Sequence, residues 1–416
     1  MSNLNFFRVL QSGGTGGVPP EQLSFTYTTS TTSTIDPLGS ILNNVNWTTS
    51  GGLVSSGTGN NIPYTSNTGN AFTTVKADYT STSYISINGD SISSIDVSDL
   101  GNLLYKLYVQ TNQLTSLDVT SNTNLFELGC GTNSLTSLDV SNNTALDVLG
   151  IYTNNLTSID LQYNTALTRL ICWGNSLTSL DVSNNTGLTQ LWCQDNQLTS
   201  LDVDVNTSLG TFHCENNQLT SLDVTNNTNL YDLKCYENSL TSLDVQYNTL
   251  LELLNCNTNS ITSLDVSNNT LLETLICNIN SLTSLDVDVN TSLTTLRCSN
   301  NSLGSLDVSN NTALSTLSCE STSLTSLDVD VNTALITLSC GSNSLTSLDV
   351  SNNTALVSLY CDNNSLTTTS IDNIFADLAA GSVTNGTLQI DVGRSIPGSD
   401  ADKATLVGRG WTIIEL

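Results

Sequence analysis

The residues of this 416-residue chain that could do chemistry are eleven cysteines, one histidine, a column of aspartates and a loose group of aromatics and cations. Ten of the cysteines, Cys172 to Cys361, recur every 21 residues. Cys130 lies two steps ahead of Cys172, with Ile151 on the intervening step and Val109 on the step before. A position that accepts Cys, Ile or Val is an apolar core position, so the thiols are expected to be free and buried. An odd number of equivalent thiols is no disulfide framework, and no C-x-x-C or Cys/His cluster points to zinc. The single histidine, His213, stands on the outward face of one repeat with no second ligand-type residue at a fixed spacing. The sequence also lacks G-x-S-x-G, H-E-x-x-H and phosphate-loop patterns. No catalytic residue, no metal ligand and no cofactor is assigned.

Recognition chemistry is the better fit. Tyr152, Arg169, Trp173, Trp192, His213, Lys234 and Tyr236 stand beside the cysteine grid in five successive repeats, on a surface otherwise made of Ser, Thr and Asn. Aromatic side chains and Arg are the usual anchors of binding interfaces, so these seven are taken as a contact site for a protein or a glycan. The competing account is that exposed aromatics on a β ladder pack on one another for stability while the cations offset local acidity.

The aspartates form their own column, one per repeat from Asp118 to Asp349. Like charges stacked at strand spacing repel, so the column needs a compensating gain. Hydrogen bonds to Ser, Thr or backbone N–H groups of the neighbouring coil are the simplest. Left uncompensated, the carboxylates would titrate above their ordinary range. Calcium bridging is a weaker alternative, aided by second carboxylates at Asp204, Asp288 and Asp330 but lacking the Gly of known calcium loops.

What positions these residues is a repeat. One unit runs from Cys130 to Gly150, and across its junction Leu146-x-x-Leu149-x-Ile151-x-x-Asn154-x-Leu156 reads L-x-x-L-x-L-x-x-N-x-L. That pattern resembles the leucine-rich repeats, and it covers roughly residues 85 to 365. Asn recurs three residues past the grid from Asn112 to Asn364, with Thr322 the one substitute. A half-period is visible as well: Leu135-x-x-Leu138-x-Val140-x-x-Asn143 copies the first segment. Period-two alternation turns Leu and Cys inward and their neighbours outward. The expectation is a mostly β, right-handed leucine-rich-repeat solenoid of about 13–14 coils, with parallel ladders on one or both faces and no convex helix. Asn suits the corners because its amide satisfies turn backbone and it tolerates left-handed conformation.

Four segments follow. Residues 1–22 are a Gly-rich N-terminal arm, 23–84 a Thr/Ser/Gly-rich β domain or cap, 85–365 the solenoid and 366–416 a small α/β C-terminal cap. Ile85-Ser-Ile-Asn-Gly-Asp-Ser-Ile reads as a first repeat one residue out of phase. In the cap, Ser370 is the expected N-cap of a helix closed by Gly381, followed by a strand from Thr387, a short helix over Asp400 to Val407 and a strand from Trp411. This tail is similar to C-terminal caps of bacterial and phage leucine-rich proteins.

A formal net charge of −28 excludes nucleic acid as a partner, since a phosphate backbone would meet a repelling field. No run is apolar enough for membrane insertion, and the start of the chain lacks the basic and apolar regions of a secretory signal. The resemblance therefore implies a non-catalytic display or binding module. The function expected is a structural or receptor-facing phage virion component of decoration, tail or fibre type, joined through its arm to other subunits of a surface assembly. The alternative is a bacterial cell-surface adhesin of internalin-like type that leaves by a signal-less route.

Overall fold

The computed structural model describes residues 22–29, 46–49, 56–58, 72–78, 84–86, 88, 92–391 and 400–416. The arm at residues 1–21 and most of the segment that follows lie outside them. The organising feature is a sixteen-stranded parallel sheet in which every coil contributes one three-residue strand and pairs only with the coils before and after it. The register is constant: Leu170 faces Leu149 on one side and Leu191 on the other, one repeat away in each direction. The out-of-phase first repeat is real. Ile85 pairs with Leu107, one residue further than the regular step.

Each strand is short because only its middle residue must point inward. Leu149, Leu170, Leu191, Phe212 and Leu233 are fully buried, as are Cys172, Cys193, Cys214 and Cys235 two residues on. The rest of each coil supplies further Leu and Val columns, exemplified by Leu177, Val182 and Leu188, so the interior is one continuous apolar core from Ile95 to Trp411. All eleven cysteines are buried and unpaired.

The repeated half-period does not make a second ladder. In the segment from Leu135 to Asn143 the chain runs through turns, and the parallel sheet occupies one face only. The two Asn columns do different work. Asn154 accepts the backbone N–H of Leu135 at 2.9 Å and donates to the carbonyls of Cys130 and Ile151, both at 3.1 Å, tying two coils at the corner. Asn143, in the other half, is fully buried and donates to the carbonyls of Val119 and Asn122 at 2.9 and 2.8 Å. The left-handed backbone expected at the corner Asn falls instead on the residue before it: Thr132, Thr153, Asp195, Asn216 and Ile279 all have φ between 50° and 55°. The Asn side chain must reach back to the coil behind it, and the residue ahead makes the bend.

Both ends are closed. A five-stranded antiparallel sheet at the N-terminal end includes Gln22–Thr29 and Ile92–Asp96, and Ile95 of the latter joins the core. At the other end helix α1 (Thr368–Ala380) turns Ile371, Ile374, Phe375 and Leu378 onto the last coils. Its N-cap is Thr367, whose hydroxyl accepts the Ser370 N–H at 3.2 Å. Ser370 is inside the helix and buried, because its hydroxyl is needed by the N–H of Leu348 at 3.0 Å. Strands Thr387–Ile390 and Thr412–Glu415, with helix α2 (Asp400–Gly408) between them, continue the parallel sheet. Trp411 packs over Gly386 and donates its indole N–H to the Val383 carbonyl at 3.0 Å.

Candidate binding face

The solvent side of the parallel sheet carries three columns of side chains, the first and last residue of each strand and the residue just past the grid position. Constant register puts members of a column about 4.8 Å apart. Arg169, Gln190, Thr211 and Asp232 follow one another in the first column. Ile171, Trp192, His213 and Lys234 do so in the second. Tyr152, Trp173, Gln194, Glu215 and Tyr236 form the third. It is kept in step by backbone bonds from Thr153 to Trp173, Gly174 to Gln194, Asp195 to Glu215 and Asn216 to Tyr236, all 2.8–3.1 Å. The seven residues picked out by spacing thus lie on one face of five adjacent coils.

They are not independent of one another. The rings of Tyr152 and Trp173 stack with centroids 5.0 Å apart and planes 13° from parallel. Tyr152 also leans back over Gly131, where a Cβ would clash with its ring, so the glycine makes room for the tyrosine. Trp192 stacks on His213 at 5.5 Å and 6°, and its indole N–H donates to the Thr211 hydroxyl at 3.3 Å. Self-packing of aromatics and their display therefore coexist, because stacking hides one face of each ring and leaves edges and outer faces available.

His213 is more enclosed than an outward position implies. It is buried between Trp192 and Asp232, whose Oδ2 lies 3.0 Å from its Nε2. Lys234 Nζ approaches the same oxygen at 4.0 Å. A histidine held by a carboxylate is the orienting half of a catalytic triad. Among the described residues no side-chain hydroxyl or thiol is hydrogen-bonded to the His213 ring.

Five polar residues on this face escaped the sequence reading, Gln190, Gln194, Thr211, Glu215 and Asp232, of which Gln194, Glu215 and Asp232 matter most. They sit among the seven, yet acidic and amide residues are so common in the chain that only register singles them out. Glu215 is 6% exposed. Burial pushes its carboxyl above the usual range, opposed by its own backbone N–H and by the charges of His213 and Lys234. Its Oε2, the Oε1 of Gln194 and the Oδ1 of Asp232 are buried without a hydrogen-bond donor.

The aspartate column lies in the other half of the coil, away from this face. Each carboxylate accepts the N–H two residues ahead in its own coil, as in Asp139 with Ser141 and Asp181 with Ser183 at 2.9 Å, rather than from a neighbouring coil. Hydrogen bonds from the Ser or Thr side chain and N–H hold Asp118, Asp139, Asp181 and Asp223 below the ordinary carboxylate range. At Asp118 these bonds outweigh the repulsion from Asp139, so the column does not raise it. Among the described residues no three His, Cys, Asp or Glu side chains gather closely enough to hold a metal ion. No described helix is long and apolar enough to cross a membrane.

No family profile matches the chain, and a comparison with curated proteins gave no match. Solved structures do match. The functional domain of InlJ from Listeria monocytogenes, described as including a cysteine ladder, is 36% identical over 74% of this chain and 74% of its own, with a TM-score of 0.68. YopM, a leucine-rich effector protein from Yersinia pestis, is 26% identical over 63% of this chain and 73% of its own, at a TM-score of 0.52. An internalin, InlF, from Listeria monocytogenes shares the fold at 21% identity, covering 80% of this chain and 86% of its own, with a TM-score of 0.57.

Proposed function

Because the chain belongs to the leucine-rich repeat proteins, we propose that it is a non-catalytic interaction module that binds a protein partner through the solvent face of its parallel sheet. The reading is of an internalin-like surface or extracellular adhesin, with the seven residues from Tyr152 to Tyr236 as its contact site. One observation carries it: aromatic and cationic side chains concentrate on five successive coils of that face. The next coils present Leu253, Asn255 and Asn257, then Thr274, Ile276 and Asn278 at the same positions. A scaffold that repeats everything else with so little variation has no packing need for a local cluster of Trp, Tyr, Arg and Lys outside its core. Likeness to the InlJ domain, at 36% identity, supports the internalin-like setting. The virion assignment rested on the arm at residues 1–22, of which residues 1–21 lie outside the described residues, and the described residues add no support to it.

The test is a double variant, Trp173→Ser with Trp192→Ser, in capture of surface proteins and glycans from candidate host cells by the immobilised chain. Capture is expected to be lost, with each anchor costing about 2 kcal/mol or more, while the melting temperature is kept. A double variant that captures the same molecules as the unaltered chain rules out this face. A drop in melting temperature with capture intact means the aromatics serve the ladder alone. Retention of a glycan in place of a protein changes the partner class and leaves the face in place.

A further inference from the structure

We propose that the binding face contains a subsite for a cationic side chain, an Arg or Lys of the partner protein, seated on Gln194 and Glu215 between Trp173 and Tyr236. The proposal rests on the reading of this face as the contact surface and adds the chemistry of what it holds. It starts from acceptor atoms without donors. In one column of four adjacent coils the side chains run Trp173, Gln194, Glu215, Tyr236, in step through the backbone bonds of their turns. The two central residues each keep a buried oxygen, Gln194 Oε1 and Glu215 Oε2, that no donor among the described residues reaches. Twelve Asn Oδ1 atoms of the inner column, from Asn122 to Asn353, also lack a donor among the described residues, so what sets these two buried acceptors apart is the charge of Glu215 and their place on the solvent side of the sheet. Two on neighbouring coils, aimed from a solvent-facing sheet, form a place that asks for N–H or O–H groups from outside.

Charge decides which donor. Glu215 is 6% exposed, and its carboxylate has lost solvent without gaining an ion pair. The basic side chains beside it are already engaged, Lys234 lying 4.0 Å from Asp232 Oδ2 and His213 3.0 Å from the same atom. Asp195 adds negative charge beside Glu215. The whole chain carries −28. A neutral hydroxyl would satisfy the hydrogen bonds and leave the charge uncompensated. A guanidinium or ammonium group satisfies both, and charge-assisted hydrogen bonds to carboxylate are the stronger kind. The aromatic walls fit the same occupant. Trp173 has Tyr152 against one face, and Tyr236 bounds the other end, about 14 Å away at the spacing of parallel strands. Rings placed so can cover the carbon stem of Arg or Lys or receive its charge on the π face.

The empty subsite has a consequence of its own. Burial that raises the Glu215 carboxyl disfavours its ionised form in the folded chain. At neutral pH the residue therefore lowers stability until a cation arrives, the usual signature of a group kept for binding at the expense of the fold.

The experiment uses the full chain and a fluorescein-labelled hexa-arginine peptide, with anisotropy read at physiological salt. Three proteins are compared: unaltered, Glu215→Gln, and Asp265→Asn as a control that removes one charge from the aspartate column. Glu215→Gln is expected to weaken peptide binding at least about tenfold while Asp265→Asn leaves it unchanged. Glu215→Gln should also melt higher than the unaltered chain at pH 7, a gain that vanishes once acid protonates the carboxyl. Equal weakening in both variants, or none in either, overturns the proposal by showing only the attraction of an acidic chain for a basic peptide. Binding of chitohexaose that depends on Glu215, without binding of hexa-arginine, overturns it in favour of a hydroxyl donor. In the capture assay, loss with Trp173→Ser but not with Glu215→Gln leaves the face standing and sinks the subsite, whereas loss with neither sinks both.

Discussion

Thr225 donates both its backbone N–H, at 2.9 Å, and its hydroxyl, at 2.7 Å, to the same carboxylate oxygen of Asp223. The arrangement recurs in alternate coils, where Ser or Thr stands two residues past the aspartate, and it lowers the carboxyl each time, as at Asp265, Asp307 and Asp349. In two of the coils between, Gln162 and Gln246 each donate a side-chain amide to Asp160 and Asp244 at 2.9 Å, while in the other three Asp204, Asp288 and Asp330 give only their backbone N–H. A carboxyl lowered on folding adds stability that is present above its unfolded value and lost as pH falls through the folded one. The column's contribution to the melting temperature should therefore be flat from neutral pH down to about 4 and fall below that, superimposed on the opposite trend from Glu215, whose raised carboxyl is relieved by acid. Each contribution is small because these groups are solvent-exposed. A melting temperature that keeps rising as pH falls below about 4, or that climbs with calcium but not magnesium, would refute the hydrogen-bonded column.

The thiols supply a second prediction. Burial pushes Cys130, Cys172, Cys256, Cys298 and Cys340 up to about 12, so no thiolate is present at neutral pH. All eleven should resist alkylation in the native chain and react together on unfolding. Native labelling of more than one or two would show that the core opens locally.

Ile279 is a strained residue with a simple remedy. It is apolar, β-branched and 47% exposed, and it holds φ at 54° in the left-handed region that other coils fill with Thr, Asn, Asp, Glu, Ser or Gly. That conformation costs a branched side chain about 1–2 kcal/mol. Ile279→Asn should stabilise the chain by about 1 kcal/mol in urea titration, with the slope of the transition unchanged. No gain would mean that the exposed isoleucine makes contacts worth as much as the strain.

The buried Asn column should be the least tolerant polar feature of the array. Asn227 donates to the carbonyls of Val203 and Asn206 at 2.9 and 3.0 Å from a fully buried position. Replacing it by Ala removes two buried bonds and should cost about 1–3 kcal/mol, although each carbonyl keeps a backbone donor, Asn206 N–H to Val203 and Leu209 N–H to Asn206. Asn142, one coil position away in an exposed turn, makes a single such bond, to Thr120 at 3.1 Å, and Asn142→Ala should cost well under 1 kcal/mol. Similar losses at both sites would put the cost in the turn backbone and not in burial.

What the chain determined on its own is whatever the period dictates. A core position filled only by Cys, Ile or Val, and an Asn three residues on, specify inward columns, corner bonds and stacking of like on like, because every coil sees the same neighbours. Even the slipped first repeat at Ile85 was readable, since one extra residue shifts the pleat and leaves a visible break in pattern. Periodicity is silent wherever equal patterns have unequal surroundings. Leu135 to Asn143 copies Leu146 to Asn154, yet one half forms turns and the other a strand, a difference that depends on which hydrogen bonds the adjacent coil offers. Likewise Glu215 and Asp232 are unremarkable acids in sequence. Only the register sets Glu215 between Gln194 and Tyr236 and brings Asp232 to His213, because contacts between coils join residues 19 to 21 positions apart that no local spacing rule connects.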